Sequence, residues 1–141
     1  MAQLETIATM DNLERMIDFV LSGSKGVGFS RKEENEIHLA CEEILVNIIN
    51  HAYPELSEPG EVLIRCTRLA RKPGIRIEFI DSGVPFNPLN NPDPDTALPV
   101  EERPIGGLGL FIVRNVMSSV EYRRTGNQNR LAIEKIAQGE H

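Results

Sequence analysis

Glu43, Asn47 and His51 recur at intervals of four, so on a helix they stack into one polar line. Leu45, Val46, Ile49 and Ala52 surround that line. A carboxylate and an amide left unpaired among such neighbours would be costly to bury. The line therefore faces water, a partner or a ligand, and a solvated helix face satisfies the pattern as well as a binding site does. Asp81-Ser82-Gly83 follows an alternating apolar segment. A carboxylate there can accept a hydrogen bond from an exocyclic amine, and a glycine lets backbone approach a flat ring. The same tripeptide also makes ordinary turns. Gly106-Gly107-Leu108-Gly109-Leu110 leads into an apolar helical segment from Phe111 to Ser119. Glycines at a helix start expose free amides that, with the helix dipole, suit an anion, although a plain Gly-rich hinge has the same composition. No Gly-Lys-Ser/Thr follows, so this is not a Walker loop. A loop and not a strand precedes it, which excludes a Rossmann fingerprint.

These groups need elements to hold them. Asp11 and Glu14 read as a capping box, after which Leu13, Met16, Ile17, Val20 and Leu21 keep helical spacing until the Gly-rich stretch at 22–28. Ser30 and Glu33 form a second box, opening a helix that runs to His51 or Tyr53, before Pro54. Its core stripe is Ile37, Ala40, Cys41, Ile44 and Ile48, while Glu42 points elsewhere as a surface charge. The period then changes to two. Residues 61–68 and 75–80 predict a hairpin through Arg-Lys-Pro-Gly, and residues 119–125 and 130–136 a second one turning at Gly126-Asn127. Residues 3–9 predict an edge strand with poor alternation. Between Asp81 and Arg103, prolines 85, 88, 92, 94 and 99 exclude a regular element, and so long a stretch inside a domain reads as a lid or a disordered segment. The order predicts an α+β fold with one mostly antiparallel sheet and helices on one face.

Composition sets the outer bounds. The 141 residues suit one domain, 1–141, and 40% apolar with 26% charged residues is ordinary for a globular protein. The net charge of -6 argues against direct nucleic acid binding. No apolar run suits a bilayer and the N-terminus has no signal pattern, so no membrane role and a cytoplasmic setting are expected. Cys41 and Cys66 have no metal-binding spacing and are expected buried and reduced.

Three motifs in this order resemble those of the GHKL, or Bergerat-fold, ATPases. HLACEEILVNIINHAY looks like their N-box, DSGVPFNP like their first glycine box and GGLGLFIV like their second. The compact length, the His51-Ala52-Tyr53 ending and the NRLAIEKI tail are most similar to the stand-alone bacterial anti-sigma-factor serine/threonine kinases. The resemblance implies a two-layer α/β sandwich with a mixed, mostly antiparallel sheet, ATP and Mg²⁺ as cofactors, and a Pro-rich ATP lid. It implies that Asn47 coordinates Mg²⁺, that Glu43 is the catalytic base, and that His51 lines the phosphate region or caps its helix. Asp81 would bind the adenine amine with Gly83 beneath the ring. Gly106, Gly107, Leu108, Gly109 and Leu110 would form the phosphate loop. The partners implied are an anti-sigma-factor antagonist that receives the phosphate and a sigma factor, with a homodimer favoured. Val84-Pro85-Phe86 stands where many members carry a second glycine. No dimerisation helix with a phosphoacceptor histidine precedes the motifs, so a complete sensor histidine kinase is not expected. Two other readings stay open: a nucleotide-gated binding module without kinase activity, and the ATPase piece of a longer signalling protein.

Overall fold

Alternation of apolar and polar residues, rather than the length of any apolar run, sets the sheet. A computed structural model describes residues 1–53, 59–85 and 107–138. Its strands are β1 (Ala2–Ile7), β2 (Glu61–Arg68), β3 (Gly74–Asp81), β4 (Ser119–Thr125) and β5 (Gln128–Ile136), and its helices α1 (Leu13–Ser24), α2 (Arg31–His51) and α3 (Gly107–Val116). One five-stranded sheet runs β1-β2-β3-β5-β4. Among the described residues all four ladders are antiparallel, which corrects the expectation of a mixed sheet there. The reason lies in the second hairpin. The connection through α3 carries the chain past the neighbouring position, and β4 runs in the direction of β3 at the sheet edge. β5 then turns back into the gap between them.

The register puts Ile64, Phe79 and Leu131 in one row, and Cys66, Ile77 and Ile133 in the next. These join Met16, Val20, Ile37, Cys41, Ile44 and Val113 of the helices in a single core. Each fully buried side chain of this size contributes about 2 kcal/mol. The opposite face carries charge: Arg76 of β3 bridges Glu121 at 2.8 Å and Glu134 at 3.0 Å. Cys41 and Cys66 are buried and free, and burial pushes both thiols up, that of Cys66 to about 11, so both stay protonated at neutral pH.

Several boundaries differ from the sequence expectation. The box expected at Asp11 does not form: Met10–Asn12 winds a 3₁₀ turn, α1 starts at Leu13, and the Asn12 amide donates to the Ile7 carbonyl instead. The Ser30–Glu33 box does form, with both reciprocal bonds. β1 is an edge strand despite its poor alternation, because β2 offers an open ladder to pair with. α3 begins at Gly107 and ends at Val116, not at Phe111 and Ser119, since Ser119 is claimed by β4. β5 starts two residues early, at Gln128. Residues 86–106, which hold most of the stretch read as a lid or a disordered segment and also Gly106, lie outside the described residues.

Candidate functional site

The expected polar line is real and sits on α2. Glu43 and Asn47 are half-buried and His51 is exposed at the helix end, while Ile37, Ala40, Cys41 and Ile44 of the other face are fully buried. The Asn47 amide nitrogen donates to the Glu43 carbonyl at 2.9 Å, a bond back along the helix. That bond fixes the amide plane and turns Oδ1 away from the helix backbone.

Asp81 is the last residue of β3 and is buried at 5% exposure. Its Oδ1 accepts from Gly83 N and from Asn129 Nδ2, both at 2.9 Å. Burial pushes the Asp81 carboxyl above its usual range, although these two donors and the nearby Arg124 pull the other way. Asn129 faces Asp81 in register across the β3–β5 ladder. Its amide also donates to the Val84 carbonyl at 2.8 Å, and its Oδ1 accepts from Tyr122 Oη at 2.6 Å and Arg124 Nη1 at 3.1 Å. Arg124 Nη1 reaches on to the Gly83 carbonyl at 2.9 Å. The β4–β5 hairpin thus holds the segment after β3 from below.

Tyr53 holds the same segment from the α2 side. Its hydroxyl accepts from Ser82 N at 2.9 Å and donates to the Glu61 carbonyl at 2.5 Å. The glycine at 83 is required for packing: a Cβ there would lie 2.1 Å from the Ala52 carbonyl oxygen. Val84 N donates to that same oxygen at 2.9 Å, so the end of α2 and the Asp81 segment are joined directly.

Gly107, Leu108, Gly109 and Leu110 occupy the first turn of α3, not a loop ahead of it. First-turn amides have no partner within their own helix, which suits this end of α3 to an anion. α3 packs against α2, the helix that carries Glu43 and Asn47.

Tyr53, Tyr122, Arg124 and Asn129 were not singled out by sequence reasoning as functional positions. One signal was available for Asn129. Counting back in twos from Ile133 through Leu131 puts it on the inward face, where a polar residue needs a partner. Asp81 and Arg124 supply it only through register, which a single strand does not reveal.

Comparison with known proteins identifies the family. Residues 6–135 match the family described as histidine kinase-like ATPase domain. The chain is 30% identical over 100 residues to the serine-protein kinase RsbW of Bacillus cereus, covering 67% of this chain and 59% of the relative. It therefore spans less than two thirds of that relative's length. Similarity to RsbW of Bacillus pumilus is 30% over 112 residues, covering 75% of this chain and 68% of the relative. The serine/threonine-protein kinase BtrW of Bordetella bronchiseptica is 27% identical over 95 residues, with 67% and 65% covered. Among solved structures, the RsbU and RsbW domains of Rv1364c from Mycobacterium tuberculosis superpose with a TM-score of 0.62 at 14% identity, over 100% of this chain and 35% of that one. The histidine kinase domain of the blue-light activated EL346 kinase from Erythrobacter litoralis gives 0.57 at 18% identity, with 89% and 59% covered. At such identities the structures speak to fold alone. With the sequence match running from the first strand to the last, the chain belongs to the family of histidine kinase-like ATPase domains.

Proposed function

We propose that the chain is an anti-sigma-factor-type protein serine/threonine kinase. It uses Mg-ATP to phosphorylate an anti-sigma-factor antagonist and thereby regulates a sigma factor. One observation carries this reading: Glu43 and Asn47 stand one turn apart on α2, half-buried, with the Asn47 amide nitrogen already bound to the helix. Oδ1 of Asn47 is then an oriented oxygen donor of the kind Mg²⁺ takes. Among the described residues no cluster of three or more His, Cys, Asp or Glu could hold a metal. A single amide oxygen, completed by phosphates and water, fits Mg²⁺ rather than a metal that needs an all-protein cage. When bound, the ion neutralises phosphate charge.

Glu43 would orient and deprotonate the attacking hydroxyl. A pure binding module has no use for a carboxylate there, which favours the kinase. Asp81 would accept the adenine amine on its carboxylate, steadied by Gly83 N and Asn129, with Gly83 beneath the ring. Backbone amides of Gly107, Leu108 and Gly109 would receive the phosphates, flanked by Gly106 and Leu110, and His51 would line that region. Phosphoryl transfer asks mainly for positioning and charge stabilisation, which such a set supplies. The reading extends to one domain over 1–141, working in the cytoplasm as a homodimer. Among the described residues no helix is long and apolar enough to cross a membrane. Incubating the protein with γ-labelled ATP and its candidate antagonist tests the reading. Label on an antagonist serine or threonine is expected, and ATP binding without transfer to any candidate partner would contradict it.

A further inference from the structure

Lys135 is a buried cation with partners on two different helices. It lies on the inward face of β5, in register with Ile75, and is 7% exposed. Its Nζ stands 3.1 Å from Glu36 Oε1 on α2 and also donates to the carbonyl of Val116, the last residue of α3. Removing an ammonium from water is unfavourable unless it is paired and hydrogen-bonded, and both conditions hold here. The α3 bond places a positive charge on the negative end of that helix, where the dipole favours it.

The spacing along α2 gives this tie a consequence. Glu36 precedes Glu43 by seven residues and Asn47 by eleven, offsets that return to within about 20° of one helix face. Lys135 therefore grips the same side of α2 that carries the proposed chemical pair. From Glu36 to Asn47, α2 rises by roughly 16 Å, and the ten residues of α3 span about 15 Å. Because α3 packs on α2 with its C-terminal end fixed near Glu36, its length matches the distance to the level of Asn47. A tilt of about 5° at the fixed end would swing the other end by roughly 1 Å, enough to spoil a phosphate hydrogen bond.

We infer that Lys135 is a positioning residue for the nucleotide phosphates. It pins the C-terminal end of α3 to Glu36 so that the first-turn amides of α3 stand opposite Glu43 and Asn47. The inference rests on the proposed ATP site. It predicts a loss confined to the phosphate half of the nucleotide, because Asp81 is held by a separate network from β4, β5 and Tyr53.

Titrations of the wild-type chain, Lys135→Met, Lys135→Arg and Glu36→Ala with Mg-ATP and with adenosine, well below the unfolding midpoint, test it. Lys135→Met should weaken Mg-ATP binding by about tenfold to a hundredfold, the size of effect that losing a hydrogen bond to a charged group produces. Adenosine binding should stay within about twofold of wild type, Lys135→Arg should recover most of the loss, and Glu36→Ala should show the same selective loss. An equal fall for ATP and adenosine, or no fall for either, would overturn the positioning role. Absence of Mg-ATP binding by the wild type would instead remove the proposed function, and the inference with it.

Discussion

Asn47 illustrates how far a single residue can be read. Its spacing from Glu43 was legible in the sequence because helical periodicity is strict, and α2 places both on one half-buried line. The bond from its amide to the Glu43 carbonyl was not legible, since a back-bond and a solvent-facing rotamer share one sequence. If Asn47 holds Mg²⁺, Asn47→Ala should weaken Mg-ATP binding by at least about tenfold while circular dichroism and the unfolding midpoint stay near wild type. Unchanged affinity in the folded variant would take Asn47 out of the site. Gly83 shows the opposite case. The sequence offers a glycine that lets backbone approach a ring, and the structure adds a packing need that the sequence does not show, since a Cβ there would meet the Ala52 carbonyl. Gly83→Ala should therefore destabilise the fold by about 3 kcal/mol through overpacking against backbone, measured by urea unfolding. Unchanged stability in Gly83→Ala would remove the packing role.

At the scale of elements, local signals succeeded where they were self-contained. Ser30 and Glu33 announced the start of α2, and the box forms with Ser30 N on Glu33 Oε1 at 2.9 Å. Asp11 and Glu14 carried the same signal and failed, because the 3₁₀ turn displaced the helix start to Leu13. Glu33 has a second role that no local pattern shows, accepting from Gln138 N at 2.9 Å beyond β5. Burial pushes the Glu33 carboxyl up, but the Ser30 and Gln138 bonds and the Lys135 charge outweigh it, and the net shift is downward from 4.5. A lowered carboxyl contributes stability that is fully present above the unfolded pKa and lost as pH falls through the folded one. Stability should thus fall on acidification below about pH 4.5, and Glu33→Gln should flatten that limb. Glu33→Ala should cost about 1–2 kcal/mol at neutral pH through loss of the cap. Urea midpoints from pH 6 to pH 3 check both, and identical acid limbs for wild type and Glu33→Gln would remove the linkage.

For the whole molecule, fold class and hairpins followed from the switch of period, and the strand bounds 61–68 and 119–125 agree with β2 and β4. Strand order did not follow. That β5 enters between β3 and β4 depends on which ladder is open when the chain returns, a matter of long-range pairing. The same insertion brings Asn129 under Asp81, so the unread part of the topology is also the unread part of the site. The central claim is that these elements assemble a kinase and not only a nucleotide-binding module, and Glu43 separates the two. Parallel measurements on wild type and Glu43→Ala should compare Mg-ATP affinity with the rate of phosphate incorporation into the antagonist. Near wild-type affinity is expected, with a transfer rate lower by roughly two to four orders of magnitude, the share of a positioned general base. Transfer by Glu43→Ala at the wild-type rate would contradict it.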